Sequence, residues 1–387
     1  MLKRIYHIAL RECGILKSNL IYLFCMIIFP VFIIFFFTSL MEKGQPTDMP
    51  IGVVDLDASS TSRALVRQLD AFQTSRVVAH YPNINEARAD IQRNKIYAFL
   101  YIPRRTASEL LSNRQPKISL YYSLASVTSG SLLYRDLKTI AVLGSAAVNK
   151  AKLRAYGKTE EEQMAYLRPI NIDVHLINNP EISYNVYLST SLIPACILLF
   201  IFLITAYAIG TELKFSRAKE WLAMSDNNII VALIGKLLPQ TIIFTTMMLA
   251  YQYYLFNVLQ FPHSGGLYVV VLQSVLSVLA AQGFGIFVFG LIPSLRMSMS
   301  ICSLWAALSF SVMGATFPVS AMDGEIRALA LLFPMRHYFQ IYRICMFNGF
   351  PLSDAWLHVG ALIAFAALPL LVLHRIKKAM SEYVYIP

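Results

Sequence analysis

The sequence predicts a polytopic α-helical membrane protein, six transmembrane helices with an inserted extracytoplasmic α/β domain. Three observations predict it. The 387-residue chain is 57% apolar and only 14% charged, against about 25% charged residues in soluble domains. The stretches from Tyr187 to Thr211 and from Leu237 to Leu295 contain no Asp, Glu, Lys or Arg, and each is long enough to cross a bilayer, which takes roughly 20 apolar residues as a helix. Residues 41–186 differ in kind, with 18 Lys/Arg and 14 Asp/Glu, and are numerous enough to fold as a domain of their own.

Residues 1–19 carry Lys3, Arg4, Arg11 and Lys17 and read as an interfacial helix. The apolar run 20–40 that follows exceeds the core of about 7–15 residues expected of a signal peptide, and no small-x-small cleavage site succeeds it. It is therefore an uncleaved first span. In residues 41–186 the pattern alternates: strands at Ile51–Leu56, Arg76–Tyr81 and Ile96–Pro103, with helices at Ser59–Phe72 and Asn83–Asn94 between them. This β-α-β-α-β order implies a mainly parallel sheet with packed helices. A further strand is predicted at Lys117–Tyr122, a long helix at Val127–Tyr156, and a closing strand at Val174–Asn178.

Five more apolar runs follow, at 187–210, 232–257, 267–291, 298–318 and 355–373. With six alternating spans, the basic N-terminal flank, the 211–236 loop, Arg296 and the 374–387 tail all share one side, and the excess of Lys and Arg makes that side cytoplasmic. Both termini are then cytoplasmic. The Val319–Asp354 connection lies opposite yet carries Arg327, Arg336 and Arg343, which breaks the simple charge rule. Its ALALLFP and MRHYFQIYRICMF stretches predict two short amphipathic helices that dip partway into the membrane, where irregular backbone survives only under a cover of protein.

The net charge of +11 raises nucleic acid as a partner, but the basic residues form no patch interleaved with aromatics; many sit just outside apolar runs, where they set orientation. No GxxxxGK[ST] phosphate loop occurs, and Gly235-Lys236 lacks the upstream glycine. The five cysteines show no CxxC or Cys/His spacing, which argues against zinc and a disulfide framework. Asp55 and Asp57, at the end of a strand entering a helix, read as caps of that helix rather than metal ligands. His80, His175 and His263 are isolated, and His337 and His358 have no carboxylate or Cys at ligand spacing, so no catalytic constellation emerges. Within Leu213–Met224, Phe215, Ala218 and Leu222 fall on one helical face. An interfacial helix with Trp221 in the aromatic belt and a docking segment both fit that pattern.

Taken in order, one span, a large domain opening with IGVVDLDASSTSRALVRQL and reaching YAFLYIPRR, then five spans with GTELKFSRAKEW and IIVALIGKLLP after the second, resemble the type-2 ABC transporter permeases, in the branch with a long external domain. The FPMRHYFQIYR stretch is similar to that family's re-entrant external hairpin. The resemblance implies a coupling helix (211–225) that docks on a separate ATPase through Glu212, Phe215, Arg217, Glu220 and Trp221. It also implies a re-entrant hairpin (319–350) containing Pro334, Arg336, His337 and Tyr338.

On this reading the chain is a transporter subunit without an ATPase site of its own, ATP and Mg belonging to the partner chain, and it works as a homo- or heterodimer in the bacterial inner membrane. The expected cargo is hydrophobic or amphipathic, exported from the cytoplasm or inner leaflet, because five of the spans have no ionisable residue to hold a coupling ion or a charged substrate. The external domain could dock a periplasmic adaptor and outer-membrane channel, gate the exit or sense a ligand. Two other classes compete. A signalling receptor lacks an effector domain, since no cytoplasmic segment exceeds about 30 residues, and a membrane enzyme lacks clustered His, Asp or Glu.

Overall fold

The computed structural model describes residues 1–112, 114–168, 175 and 178–382. The chain forms two compact units, residues 1–42 with 176–387, and residues 43–175. Among the described residues six helices are long and apolar enough to cross a membrane: Leu20–Leu40, Tyr184–Lys214, Ile229–Val258, Leu267–Leu291, Leu295–Val312 and Leu352–Glu382.

Helix α1 (Leu2–Ser18) buries one stripe, Ile8, Ala9 and Glu12, the spacing of neighbours one turn apart. Asn19 ends it and begins the next helix, its Oδ1 accepting from Ile21 N at 2.9 Å. The short α2 (Leu20–Leu23) and α3 (Phe29–Leu40), joined through a wide turn at Phe24–Ile28, make one 21-residue apolar rod.

The second unit is built on β1 (Met49–Asp55), α4 (Ser60–Asp70), β2 (Ser75–His80), α5 (Ile84–Gln92), β3 (Ala98–Ile102), α6 (Thr106–Leu111), β4 (Ser119–Tyr122), α7 (Val127–Ala155) and α8 (Glu160–Leu167). The strand order is β2-β1-β3-β4. β1 pairs in parallel with β2 and β3, and β4 closes the edge antiparallel to β3. The chain crosses from β1 through α4 to β2 and then from β2 through α5 back past β1 to β3, and right-handed connections that run in opposite directions along the sheet place α4 and α5 on opposite faces. One core gathers Ile51, Leu100, Leu69 and, from α7, Leu133, Leu137 and Ile140; the other gathers Val54, Phe99, Ile96 and Ala87 of α5. The predicted closing strand at Val174–Asn178 lies outside the described residues at 174, 176 and 177.

Side chains pin the strand-to-helix corners. Ser59 caps α4 by accepting from Ser62 N at 3.0 Å, and Asp55 Oδ1 accepts from the Asp57 and Ala58 amides. Asp57 departs from expectation: its Oδ2 accepts from Ala107 N at 3.2 Å, so it holds the start of α6, fifty residues on, and not the helix that follows it. Gly52 lies where β1 passes the Tyr81 ring; a Cβ there would sit 2.6 Å from Tyr81 Cε2. That ring is tethered by its hydroxyl to Asp90 Oδ2 at 3.0 Å. Gly52→Val is expected to destabilise this unit by about 1–3 kcal/mol, the usual range for overpacking, read as a lower denaturation midpoint and faster limited proteolysis of the 43–175 segment.

The chain then enters α9 (Tyr184–Lys214), 31 residues with Pro194 inside. The predicted Leu213–Met224 helix is two pieces. α9 runs on to Lys214, the chain turns at Phe215–Arg217 with Ser216 at φ +55°, and α10 (Ala218–Met224) begins. Phe215 therefore does not share a face with Ala218 and Leu222. They are buried, and it is 53% exposed.

Helix α11 (Ile229–Tyr253) starts earlier than the charge pattern suggested, because Asn228 Oδ1 accepts from Ile230 N at 3.0 Å and Val231 N at 3.3 Å. Lys236 is thus two turns inside a span helix and not in a loop. With Glu212 inside α9 as well, at least two of the span helices carry ionisable groups, which corrects the expectation that five of the six carry none. α12 (Leu267–Leu291) packs on α9 and α13 (Leu295–Val312). α14 (Gly324–Leu329) and α15 (Pro334–Ile341) form the connection to α16 (Trp356–Ala367), after which α17 (Leu373–Glu382) ends the described chain. Every residue of α15 is buried, so its polar side chains Arg336, His337 and Gln340 are covered by protein, the helix being enclosed by α12, α13 and α16.

Ile8 of α1, Leu222 of α10, Ile229 and Leu233 of α11, and Ile376 and Met380 of α17 join one hydrophobic cluster. The two terminal helices therefore meet at the same end of the bundle as the α9–α10 corner.

Candidate functional site: a buried charge node beneath the α9–α10 corner

Four ionised side chains converge at that end. Glu212, on the last turns of α9, receives a two-pronged contact from Arg11 of α1, Nη1 to Oε1 at 2.9 Å and Nη2 to Oε2 at 3.0 Å. Lys236 Nζ of α11 lies 2.6 Å from the same Glu212 Oε1 and 2.9 Å from Glu12 Oε1. Arg11 Nη1 reaches Glu12 Oε1 at 3.0 Å. The Trp221 ring of α10 faces the Lys236 ammonium at 5.5 Å, a cation–π distance. Gly235 allows this approach, since a Cβ there would meet Ile8 Cβ at 2.8 Å.

The charges are balanced and largely withdrawn from solvent. Two cations meet two carboxylates, and the side chains of Glu12, Glu212 and Lys236 are 0%, 3% and 2% exposed. Burial pushes the Glu12 carboxyl above its ordinary range, with Lys236 pulling it partway back. Burial also acts to lower Arg11, but its hydrogen bond and charge contact with Glu212 outweigh that and hold the guanidinium above its usual value. Charges removed from water this completely persist only when paired. The node therefore welds α1, α9, α10 and α11 into one block.

Beside the node a cavity of about 340 Å³ is lined by Asn19, Tyr22, Glu212, Phe215, Arg217 and Lys236. Phe215 stands at its mouth with Lys214 Nζ and the Arg217 guanidinium 5.7 and 5.6 Å from the ring centroid. Of the five residues expected to face a partner, Phe215, Arg217 and Glu220 are exposed, whereas Glu212 and Trp221 are buried within the chain. These two act inside, not on the surface. Sequence reading missed Arg11, Glu12 and Lys236. The available signal was Glu12 one turn beyond Ile8 on the apolar stripe of α1, and Gly235-Lys236 inside an otherwise apolar helix.

The four hairpin residues are gathered in α15. Pro334 occupies its first turn, Arg336 is buried, and the Tyr338 carbonyl accepts from Gln273 Nε2 at 3.0 Å. His337 is held between the Leu331 carbonyl at 2.9 Å and His358 Nδ1 at 3.0 Å. The histidine pair was not legible in the sequence, where 21 residues separate its members.

Six helices long and apolar enough to cross a bilayer, with backbone groups satisfied within each helix, define a multi-pass helical membrane protein. A family model for ABC-2 family transporter proteins matches residues 20–373, and the chain belongs to that family. It is accordingly a membrane permease subunit of an ABC transporter. No curated protein matches it at a significant level.

Proposed function

We propose that this permease exports a hydrophobic or amphipathic substrate from the cytoplasm or inner leaflet, driven by a separate ABC ATPase that docks on the α9–α10 corner. The observation that carries the reading is the joining of an exposed knob to a span helix. Phe215, with Lys214, Arg217, Lys219 and Glu220 around it, is accessible, and three residues before it Glu212 is clamped to α1 and α11. A push on the corner is delivered to α9 as a whole, because the node leaves no compliant joint between them. ATP and Mg act in the partner chain.

The substrate class follows from what lines the spans. The buried polar side chains of α11 and α12 are, Lys236 apart, amides and hydroxyls such as Gln240, Gln252, Gln273 and Ser274, and Gln252 Nε2 donates to Ser274 Oγ at 2.9 Å. Such groups suit a guest without full charge. The shared position of α1, α10 and α17 supports both termini on the cytoplasmic side of a bacterial inner membrane, and the dimer, the periplasmic adaptor with its outer channel, and the extracytoplasmic placement of the α/β unit complete the reading.

The test is co-purification of an affinity-tagged chain from its native host in mild detergent. Phe215→Asp is the informative variant because the side chain is outside the packed core. An ATPase carrying a phosphate-loop motif should accompany the wild type and be lost from Phe215→Asp while the variant elutes as a folded, monodisperse species. An ATPase retained equally by the variant would remove the corner as the docking site, and none at all under conditions that preserve other ABC complexes would overturn the reading.

A further inference from the structure

Where α11, α12 and α16 meet, a cavity of about 420 Å³ opens at the surface of the bundle, within the span of small-molecule sites. Its wall is hydrocarbon, with Leu233 and Leu237 of α11, Ile286 of α12 and Ala366 of α16. Among the described residues that line it, only Thr241 and Gln282 have polar side chains, and none is charged. Ile234 and Leu279 at its edge are 44% and 38% exposed, so the mouth faces the lipid.

Gln282 is out of place in such a wall. It is 4% exposed. Thr241 Oγ1 donates to its Oε1 at 2.7 Å, while among the described residues its Nε2 has no partner. A buried donor left unpaired is costly, and folded proteins rarely keep one without a use. Bilayer lipid does not supply the missing acceptor. Gln282 lies nine residues from the end of α12 at Leu291, about 14 Å along the helix, near the middle of a hydrocarbon core about 30 Å thick. Lipid tails reach that depth, whereas their ester groups stay in the interfacial layer.

We infer that this cavity binds an uncharged, largely apolar molecule that carries one hydrogen-bond acceptor, such as a ketone or an ether. Its body lies against the leucines and isoleucines of the wall, and its acceptor takes the Gln282 Nε2 proton. A charged guest would find no counter-charge among the lining residues and would be left unpaired in hydrocarbon. That this guest is the cargo rests on the export reading; the binding requires neither an ATPase nor transport, so the two stand or fall by separate measurements.

The test uses the full chain in nanodiscs of saturated phosphatidylcholine, with benzophenone, itself an apolar ketone, as photolabel and peptide mass spectrometry as readout. Label should appear on peptides of α11, α12 and α16 that border the cavity. Excess dicyclohexyl ketone should compete it away about tenfold more effectively than dicyclohexylmethane at equal bilayer mole fraction, the factor expected of one buried hydrogen bond. In Gln282→Leu the two competitors should become equal. That variant should still fold and elute as a monodisperse species, because the Thr241 hydroxyl keeps the Leu237 carbonyl, 2.9 Å away, as its acceptor. Leu279→Trp, which fills the mouth, should abolish the label. Absence of label from these peptides, equal competition by ketone and hydrocarbon in the wild type, which would mark a groove filled by ordinary lipid tails, or a ketone preference retained in Gln282→Leu would overturn the inference.

Discussion

Glu212→Ala is expected to destabilise the chain by about 3–5 kcal/mol, the loss that follows when one partner is removed from a buried ion pair. The deletion leaves Arg11 and Lys236 facing a single carboxylate, Glu12, in a site largely withdrawn from solvent. The size of the effect comes from the stranded charge more than from the lost attraction. Replacing all four, with Arg11→Met, Glu12→Leu, Glu212→Leu and Lys236→Met, should therefore recover much of the stability, since buried ionic clusters exchange for packed apolar groups at little net cost. Denaturation midpoints of the wild type, the single and the quadruple variant in one detergent decide the matter. A single variant as stable as the wild type would show that the node is not what holds these helices. If the quadruple variant is stable yet fails to transport, the node contributes to coupling beyond its contribution to folding.

Gly283→Leu should be comparably damaging for a different reason. Where α12 crosses α16, a Cβ on Gly283 would run into the Phe365 carbonyl oxygen and lie 2.8 Å from Ala366 Cα. Both obstacles are backbone, so no rotamer change relieves the clash and the helices must separate. A loss of about 3 kcal/mol, the upper end of overpacking effects, is expected as a lower melting temperature by fluorescence-detected size exclusion. Gly360→Ala on α16 is the control: nothing lies within 4 Å of a Cβ there, and the substitution should be neutral or stabilising, since alanine favours a helix over glycine by up to about 1 kcal/mol. Equal behaviour of the two variants would mean that the α12–α16 crossing is not tight.

The spans were legible because a bilayer-crossing helix demands a long run without charge, and such runs are read directly from composition. The same rule hid Lys236. Boundaries drawn at charges put it in a loop, whereas the helix start is set by the Asn228 cap, a local signal that a hydropathy reading passes over. The α9–α10 corner was misread as one helix because Phe215, Ala218 and Leu222 keep helical spacing, while the positive φ at Ser216, a non-glycine residue, is invisible to periodicity. The β-α-β-α-β order was readable from short apolar runs with turn residues between them. Asp57 was assigned to the nearer helix, since sequence neighbours are the default and a partner fifty residues away is not. The node itself was out of reach for that reason: Arg11 and Glu212 are 201 positions apart, and no spacing rule connects them.

That separation also sets an order of events during synthesis. Arg11 and Glu12 leave the ribosome at the very start, while Glu212 and Lys236 are added about 200 residues later, roughly 10–40 s at 5–20 residues per second. Through that interval α1 can rest at the membrane surface with Arg11 beside Glu12 but cannot complete the node, because Glu212 and Lys236 do not yet exist. Insertion of α9 and α11 and the docking of α1 must then finish together. A nascent chain stalled between residues 212 and 236 would hold two carboxylates against one guanidinium where the finished protein is balanced, a mark by which membrane proteases could tell an abandoned chain from a completed one.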